Sequence, residues 1–293
     1  MNYRHAFHAG NFADVLKHAV LARVIAHLKR KEAPFRVIDT HAGRGLYRLD
    51  QAAATRTGEW EQGIGRIIGP NAAPLPAPIN ALLEPYLAVI ATENIGDRLQ
   101  SYPGSPVIAR RMLRPADRLI VNELHPDDHA ALAALFARDR QTKVLHLDGW
   151  TALKSLLPPK ERRGVVLVDP PFEQPGELIR LTEGLREAVK RFAGGTYVLW
   201  YPIKNVKVIA RFHRALVELG NARLLKAELT IRPSRNPEIL SGSGLVILNP
   251  TFQLDAELAE LLPVLARRLA QADGAGYALD WLAGERDRTR HDP

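Results

Sequence analysis

The chain has 293 residues, 46% of them hydrophobic, no cysteine and a formal net charge of +8. That suffices for one large core, or one core with a small insert, and the missing cysteine excludes disulfides, zinc ribbons, iron–sulfur clusters and thiol nucleophiles. The positive surplus points to a polyanionic partner; no eighteen-residue apolar run exists to span a membrane and no signal-peptide block opens the chain, so a cytoplasmic protein is expected.

Residues 12–31 read as an amphipathic helix, with Val15, Leu16, Ala19, Val20, Val24, Ile25 and Leu28 at helical spacing and Pro34 beyond its end. Phe35 to Asp39 reads as a strand running into Thr40-His41-Ala42-Gly43-Arg44-Gly45, the first strand-and-turn unit of a Rossmann-like sheet. Between 51 and 104 the character changes. Pro70, Pro74, Pro76 and Pro78 block regular structure, and helical fragments flank them. Ser105 as N-cap and Pro106 as first helical residue predict a helix through Leu113. Alternation then resumes: a strand at 119–123 ending on Glu123, a helix at 127–137, a strand and turn at 143–149, and a strand at 164–168. A helix at 178–192, a strand at 196–200 and a helix at 206–219 follow. Residues 224–231 and 244–249 read as a closing antiparallel pair, and 256–270 as a last helix.

Strands separated by helices predict an α/β, doubly wound sheet. The closing antiparallel hairpin is typical of class I S-adenosylmethionine-dependent methyltransferases. The expected organisation is a Rossmann-like class I methyltransferase sheet from residues 1–50 and 105–283, a small inserted helical subdomain at 51–104, and a disordered tail at 284–293.

Asp169-Pro170-Pro171-Phe172 directly follows the apolar run Val165-Val166-Leu167-Val168. This places the acid at the carboxyl end of a buried strand, where ligands bind in open α/β sheets. The Asp169 carboxylate and the Pro170 carbonyl can both accept hydrogen bonds from an exocyclic nucleobase amine. Neither proline has an N–H and both fix φ, so the loop is stiff and rich in acceptors. Phe172 offers a flat face to a base. A turn that merely closes a strand with prolines is the structural alternative.

Methyl transfer needs a donor, and three strand ends suit S-adenosylmethionine. Gly43-Arg44-Gly45 lets backbone approach a ligand closely. Glu123 can accept from both ribose hydroxyls, although it follows the glycines by about eighty residues instead of about 20, a gap the insert explains. Asp148-Gly149 can accept from the adenine amine. Glu123 could instead cap the helix beginning at His125-Pro126-Asp127, and Asp148 could be an ordinary turn acid. An NAD-linked dehydrogenase, the main rival for this sheet, would want a third glycine and has no need of Asp-Pro-Pro-aromatic.

The N-terminus, Tyr3-Arg4-His5-Ala6-Phe7-His8-Ala9-Gly10-Asn11, is dense in polar aromatics. No acid or cysteine at ligand spacing supports metal binding by His5, His8 and His18. A substrate lid fits better: Tyr3 and His5 could stack on or bond a base, with Arg4 on a phosphate and Lys17 nearby. A plain strap on the sheet is the other reading.

With these residues assembled, the chain resembles the RlmJ family, the bacterial large-subunit (23S) ribosomal RNA adenine-N6 methyltransferases. The similarity lies in Tyr3-Arg4-His5, Phe7-His8-Ala9-Gly10-Asn11 and Ala13-Asp14-Val15-Leu16-Lys17-His18. It continues through Asp39-Thr40-His41-Ala42-Gly43, Tyr102-Pro103-Gly104-Ser105-Pro106, Glu123-Leu124-His125-Pro126, Asp148-Gly149, Asp169-Pro170-Pro171 and Trp200-Tyr201-Pro202. It runs from residue 3 to about 282. The resemblance implies S-adenosylmethionine as cofactor, contacted by His18, His41, Ser105, Glu123, Asp148, Gly149 and Asp169. It implies Asp169 as the catalytic acid and Tyr3 on the substrate side, where the residues themselves add His5, Lys17, Pro170 and Phe172. The expected partner is 23S rRNA, with no membrane, no metal and a monomeric enzyme. Phe172 stands where tyrosine is expected, and Arg44 where a small residue is. The same chemistry on a DNA adenine or an RNA guanine amine is the near alternative. A non-catalytic RNA-binding factor on this fold is the further one, against which Asp169, Glu123 and Asp148 speak.

Overall fold

The computed structural model describes residues 5–284 except 97, 221, 222 and 235. Tyr3, Arg4 and the tail from 285 lie outside the described residues. After a 3-10 turn at His5–Phe7, the order is α1 (Phe12–Leu28), β1 (Arg36–Asp39), β2 (Leu46–Arg48), α2 (Ala52–Thr57), α3 (Gly65–Ile68), α4 (Ala77–Thr92) and β3 (Ser101–Pro103). Then come α5 (Ser105–Met112), β4 (Arg118–Asn122), α6 (Pro126–Leu135), β5 (Thr142–Leu145), α7 (Gly149–Ser155), β6 (Gly164–Val168) and α8 (Glu177–Arg191). The chain finishes with β7 (Thr196–Ile203), α9 (Val206–Val217), β8 (Leu224–Thr230), β9 (Gly242–Leu248), α10 (Leu254–Leu269) and β10 (Gly276–Ala283).

Eight strands form one sheet in the order β10-β8-β9-β7-β6-β1-β4-β5. The five from β5 to β7 run parallel, and β9 enters antiparallel between β7 and β8. Helices cover both faces of the parallel part, which is why β6, Gly164-Val165-Val166-Leu167-Val168, is buried at every position. The chain leaves β1 toward β4 on one side and returns to β6 on the other. The strand order therefore reverses at β1/β6, which opens a crevice at their carboxyl ends. Sequence reading missed β10, a half-exposed edge strand whose Tyr277, Leu279 and Trp281 alternate with smaller or polar neighbours.

Asn11 starts α1, its side-chain oxygen accepting from the amides of Ala13 and Asp14 at 2.9 and 3.1 Å. The helix ends three residues before the expected boundary and is buried on nearly every side, not amphipathic, with Lys17 and His18 inside. The reason is a second cover: α1 packs on β6 and β9 and also against α4, α5 and α10. The segment 51–104 begins and ends at a two-stranded antiparallel ladder that pairs Leu46 with Pro103, Tyr47 with Tyr102 and Arg48 with Ser101. Its Ile64, Ile79, Leu83, Tyr86 and Ile90 join the same apolar core as α1, α5 and α10. The start of α5 differs from expectation. Gly104 is its N-cap and Ser105 already lies inside the first turn, because the Ser105 hydroxyl donates to Asp39 Oδ2 at 2.6 Å instead of capping.

Candidate active site

The crevice at β1/β6 deepens into a cavity of about 470 Å³, within the range of small-molecule sites. His5, Lys17, His18, His41, Ser105, Glu123, Asp148, Gly149, Asp169 and Pro170 all line it. Phe172 does not. At φ 53°, its ring meets Trp200 edge to face at 5.4 Å. Tyr3 lies outside the described residues.

Asp169 leaves the end of β6 and meets α1. Its Oδ2 accepts from Lys17 Nζ at 2.5 Å, and the same ammonium lies 2.9 Å from Asp14 Oδ1. Lys17 thus bridges two carboxylates and is not free for a phosphate. Burial alone would lower Lys17, but the charges of Asp14 and Asp169 hold it well above the usual lysine range. Burial would raise Asp14; His5, Lys17 and His18 outweigh it and hold the acid well below the usual range. His5 Nε2 stands 2.9 Å from Asp14 Oδ2, and its ring rests on Tyr47. The N-terminal segment beyond it is strapped down: His8 and Asn11 both reach Glu59, and Thr57 Oγ1 donates to the Phe7 carbonyl.

His18 lies beside this group. Its Nδ1 is 2.7 Å from the Tyr102 hydroxyl, itself 2.8 Å from that of Tyr86, while its buried Nε2 has no hydrogen-bond partner. Burial pushes His18 down to about 3, against the pull of Asp14 and helped by Lys17, so the ring is neutral. On the other wall the Thr40 hydroxyl donates to the Leu167 carbonyl at 3.0 Å and meets His41 Nδ1 at 2.9 Å. The hydroxyl's one proton is committed, so Nδ1 donates to it and Nε2 is left as an acceptor. Burial lowers His41 to about 4, with Asp169 and Asp148 opposing.

Glu123 is tied to the glycine turn and does not cap α6. Oε2 accepts from Gly43 N and Oε1 from His125 N, each at 2.7 Å, and each oxygen keeps a second lone pair. Burial raises its pKa against those two amides. Asp148 is the N-cap of α7, accepting from Thr151 N at 2.9 Å, and still faces the cavity. The glycines are needed where they sit. Gly43 has φ 62°, and a Cβ there would meet the Tyr47 hydroxyl at 2.2 Å; one on Gly149 would meet His41 Nε2 at 2.2 Å.

Sequence reasoning missed two builders of the site. Asn122, fully buried, donates to the carbonyls of Thr40 and Leu147 at 3.0 and 2.9 Å and accepts from Leu147 N at 3.0 Å. It clamps the turns after β1 and β5 together. Asp39 ends β1 beneath Ser105, and burial raises it to about 7, Asp169 adding to the rise while Ser105 and Lys17 oppose it. The signal for Asp39 was the one that singled out Glu123, an acid closing a buried strand.

The family model for "Ribosomal RNA large subunit methyltransferase D, RlmJ" matches residues 32–283. The chain belongs to the RlmJ family. Ribosomal RNA large subunit methyltransferase J of Escherichia coli (strain K12) is 41% identical over 97% of this chain and 100% of its own length. The protein of that name from Haemophilus influenzae is 39% identical over the same shares. A Legionella pneumophila protein of known crystal structure superposes with a TM-score of 0.84 at 33% identity, over 95% of this chain and 99% of its own. This RlmJ-family chain thus matches its relatives over nearly its whole length. Among its described residues no group of three His, Asp or Glu side chains stands close enough to hold a metal ion, and no helix is long and apolar enough to cross a membrane.

Proposed function

We propose that this protein transfers a methyl group from S-adenosylmethionine to the N6 amine of one adenine in 23S rRNA. Asp169 carries the reading: a strand-end carboxylate followed by two prolines, at the rim of a cavity walled by further strand-end acids. Family membership supports ribosomal RNA as the substrate.

The cavity suits the cofactor. The buried, unpartnered His18 Nε2 calls for a polar ligand, and Gly43 and Gly149 line the same cavity. Glu123 would take the ribose hydroxyls on its remaining lone pairs and Asp148 the adenine amine. Gly149, His41, His18, Ser105 and Asp169 would line the rest. When bound, S-adenosylmethionine supplies an electrophilic methyl group on its sulfonium.

The protein's own residues prepare the nucleophile. The N6 lone pair is delocalised into the purine ring and attacks poorly. With Asp169 Oδ2 occupied by Lys17, Oδ1 and the Pro170 carbonyl accept the two N6 protons and favour a pyramidal nitrogen. A nitrogen held this way would present its lone pair to the donor's methyl group, and the N6 proton it loses would leave toward the Asp169 side. The rate gain comes from orientation and from acceptors placed where positive charge develops. Lys17 acts here through Asp169 by fixing its carboxylate plane. The base must leave its stack to enter; His5 on the cavity wall, Phe172 held by Trp200, and Tyr3, on the sequence resemblance, offset that loss. The enzyme works as a cytoplasmic monomer without a metal.

The test is methylation of deproteinised 23S rRNA with labelled cofactor, followed by nucleoside mass spectrometry. N6-methyladenosine is the expected product, and Asp169→Ala should lower turnover by at least about a hundredfold. Asp169→Ala activity within threefold of wild type, or a methylated guanine instead, overturns the assignment.

A further inference from the structure

Electrostatics at the other end of the sheet is unlike that of the cavity. Helices α1, α5, α6 and α7 deliver the chain to the amino ends of β1, β4, β5 and β6, which are adjacent in the sheet. The four connecting segments, 29–36, 113–118, 136–143 and 156–164, carry twelve lysines and arginines and four acids. Their surplus of eight equals the formal net charge of the whole chain, +8, so the remaining residues balance to zero.

These cations form two layers. The inner layer builds a platform. Arg114 and Arg163 both lie over the Phe35 ring, each guanidinium 5.6 Å from its centroid. They also donate to the carbonyls of Lys31 and Ala33, at 2.8 Å from Arg114 and 2.7 Å from Arg163. Arg36 pairs with Glu161 at 2.8 Å and Arg114 with Asp117 at 2.9 Å, so these cations occupy two of the four acids, and Arg110 of α5 takes Asp139. The outer layer is exposed: Lys29, Arg30 and Lys31 on the connection into β1, Lys160 and Arg162 on the neighbouring one into β6, and Arg138, Arg140 and Lys143 on the one into β5. Among the described residues none of these eight side chains makes a hydrogen bond or ion pair.

Helix polarity alone does not account for them. A helix carboxyl end carries about −0.5 charge, so the four ends here offer about −2, far below the surplus of eight. Nor does backbone geometry require Arg162, which stands at φ 52°, where glycine or asparagine would sit without strain.

We propose that this belt is a second RNA-docking surface, binding the phosphate backbone of a helical segment of the substrate RNA distant from the target base. The inference rests on ribosomal RNA being the substrate. Strand length separates belt and cavity by roughly 15–20 Å, and the four strands span about 15 Å edge to edge before side chains are added. Belt and cavity open at opposite ends of the parallel strands, so an RNA segment lying across the belt does not face the cavity, and the belt holds a different segment of a folded RNA. An anionic membrane is the other polyanion of this size. Interfacial binding wants apolar or aromatic side chains among the cations, and none of the large exposed apolar residues falls within the four segments.

The test uses the full chain carrying Lys29→Gln, Lys31→Gln, Arg138→Gln and Arg140→Gln together, with Lys143→Gln, Lys160→Gln and Arg162→Gln as an independent second variant. Two substrates are compared: deproteinised 23S rRNA, and a short hairpin spanning the adenine that the wild-type enzyme methylates. On the long RNA, KM should rise ten- to a hundredfold with kcat unchanged, and the slope of log affinity against log salt should fall by about 3. On the hairpin, KM and the affinity for S-adenosylmethionine should stay at wild-type values. A long-RNA KM within twofold of wild type overturns the proposal, as does an equal loss on both substrates, which is general charge attraction and not a second contact. Capture of the wild type, but not the variant, by phosphatidylglycerol vesicles with unchanged RNA kinetics assigns the belt to a membrane. If the wild type methylates no RNA at all, the proposed function fails, while the salt slope for duplex RNA still reports on the belt.

Discussion

Replacing Lys17 with methionine should destabilise the protein by about 3–5 kcal/mol at neutral pH, the cost of stranding charges that have lost a buried partner. Lys17 is 5% exposed and Asp14 1%, so neither gains relief from water. Methionine keeps most of the volume, which leaves the electrostatic loss as the main effect. For a chain of this size the midpoint of melting should fall by roughly five to eight degrees. The pH dependence tests the cause. Asp14 is held well below the usual carboxylate range in the folded protein. Its stabilisation is therefore present above its unfolded pKa, about 3.9, and is lost as pH falls through the folded value. Removing Lys17 lets the folded pKa of Asp14 climb, so wild type and variant should differ fully at pH 7 and converge only as pH falls below about 3.9 toward the wild-type Asp14 value. The measurement is urea unfolding of both proteins at about pH 7, 5 and 3, beside turnover at pH 7. A difference below 1 kcal/mol at pH 7, or one constant across the series, refutes the argument that Lys17 balances two buried acids.

Glu123→Ala should weaken S-adenosylmethionine binding about ten- to a hundredfold by calorimetry, as charge-assisted hydrogen bonds are worth roughly 1.5–3 kcal/mol; unchanged affinity would leave Glu123 only its tie to the Gly43 turn. Asp39, raised to about 7 by burial, contributes stability that is complete below about pH 3.9 and lost as pH rises through 7. Asp39→Asn should accordingly be more stable than wild type by a few kcal/mol at pH 8.5, with the gap closing toward pH 4, and equal melting at both pH values would contradict this. Tyr102→Phe should cost about 1–3 kcal/mol and weaken cofactor binding, since it strips His18 Nδ1 of its buried partner; isothermal titration and thermal melts read both. Deleting residues 2–8 should cut methylation of RNA and, because Phe7 and His8 hold α2 and Glu59, lower the melting midpoint as well. Full turnover in a protein that merely melts earlier would make the segment a strap alone.

The parallel strands were legible because burial on both faces forces long apolar runs, and β6 begins and ends where the sequence places it. The edge strand β10 was not, since its half-exposed pattern carries no such run. Strand-end position likewise pointed to Glu123, Asp148 and Asp169 without any view of their partners. What stayed hidden depends on contacts across the chain. Lys17 looked like a free cation on a helix face until the second cover of α1 enclosed it between Asp14 and Asp169. Ser105 looked like a cap until Asp39, 66 positions away, drew its hydroxyl. Composition told of the charge surplus, yet only strand adjacency shows four connections converging on one edge.

The enclosure of α1 also constrains how the protein is made. This helix is translated before the other helices described, and β9 and α10, which complete its cover, follow more than two hundred residues later. At ordinary elongation rates of about 5–20 residues per second, the apolar surface of α1 waits roughly 10–45 s for its last neighbours. The Lys17–Asp169 pair joins positions 152 residues apart, so it cannot form before β6 has emerged and found β1. A nascent chain stalled before that point would display an apolar helix whose lysine has only Asp14 as its partner, a target for chaperones rather than a partly working enzyme.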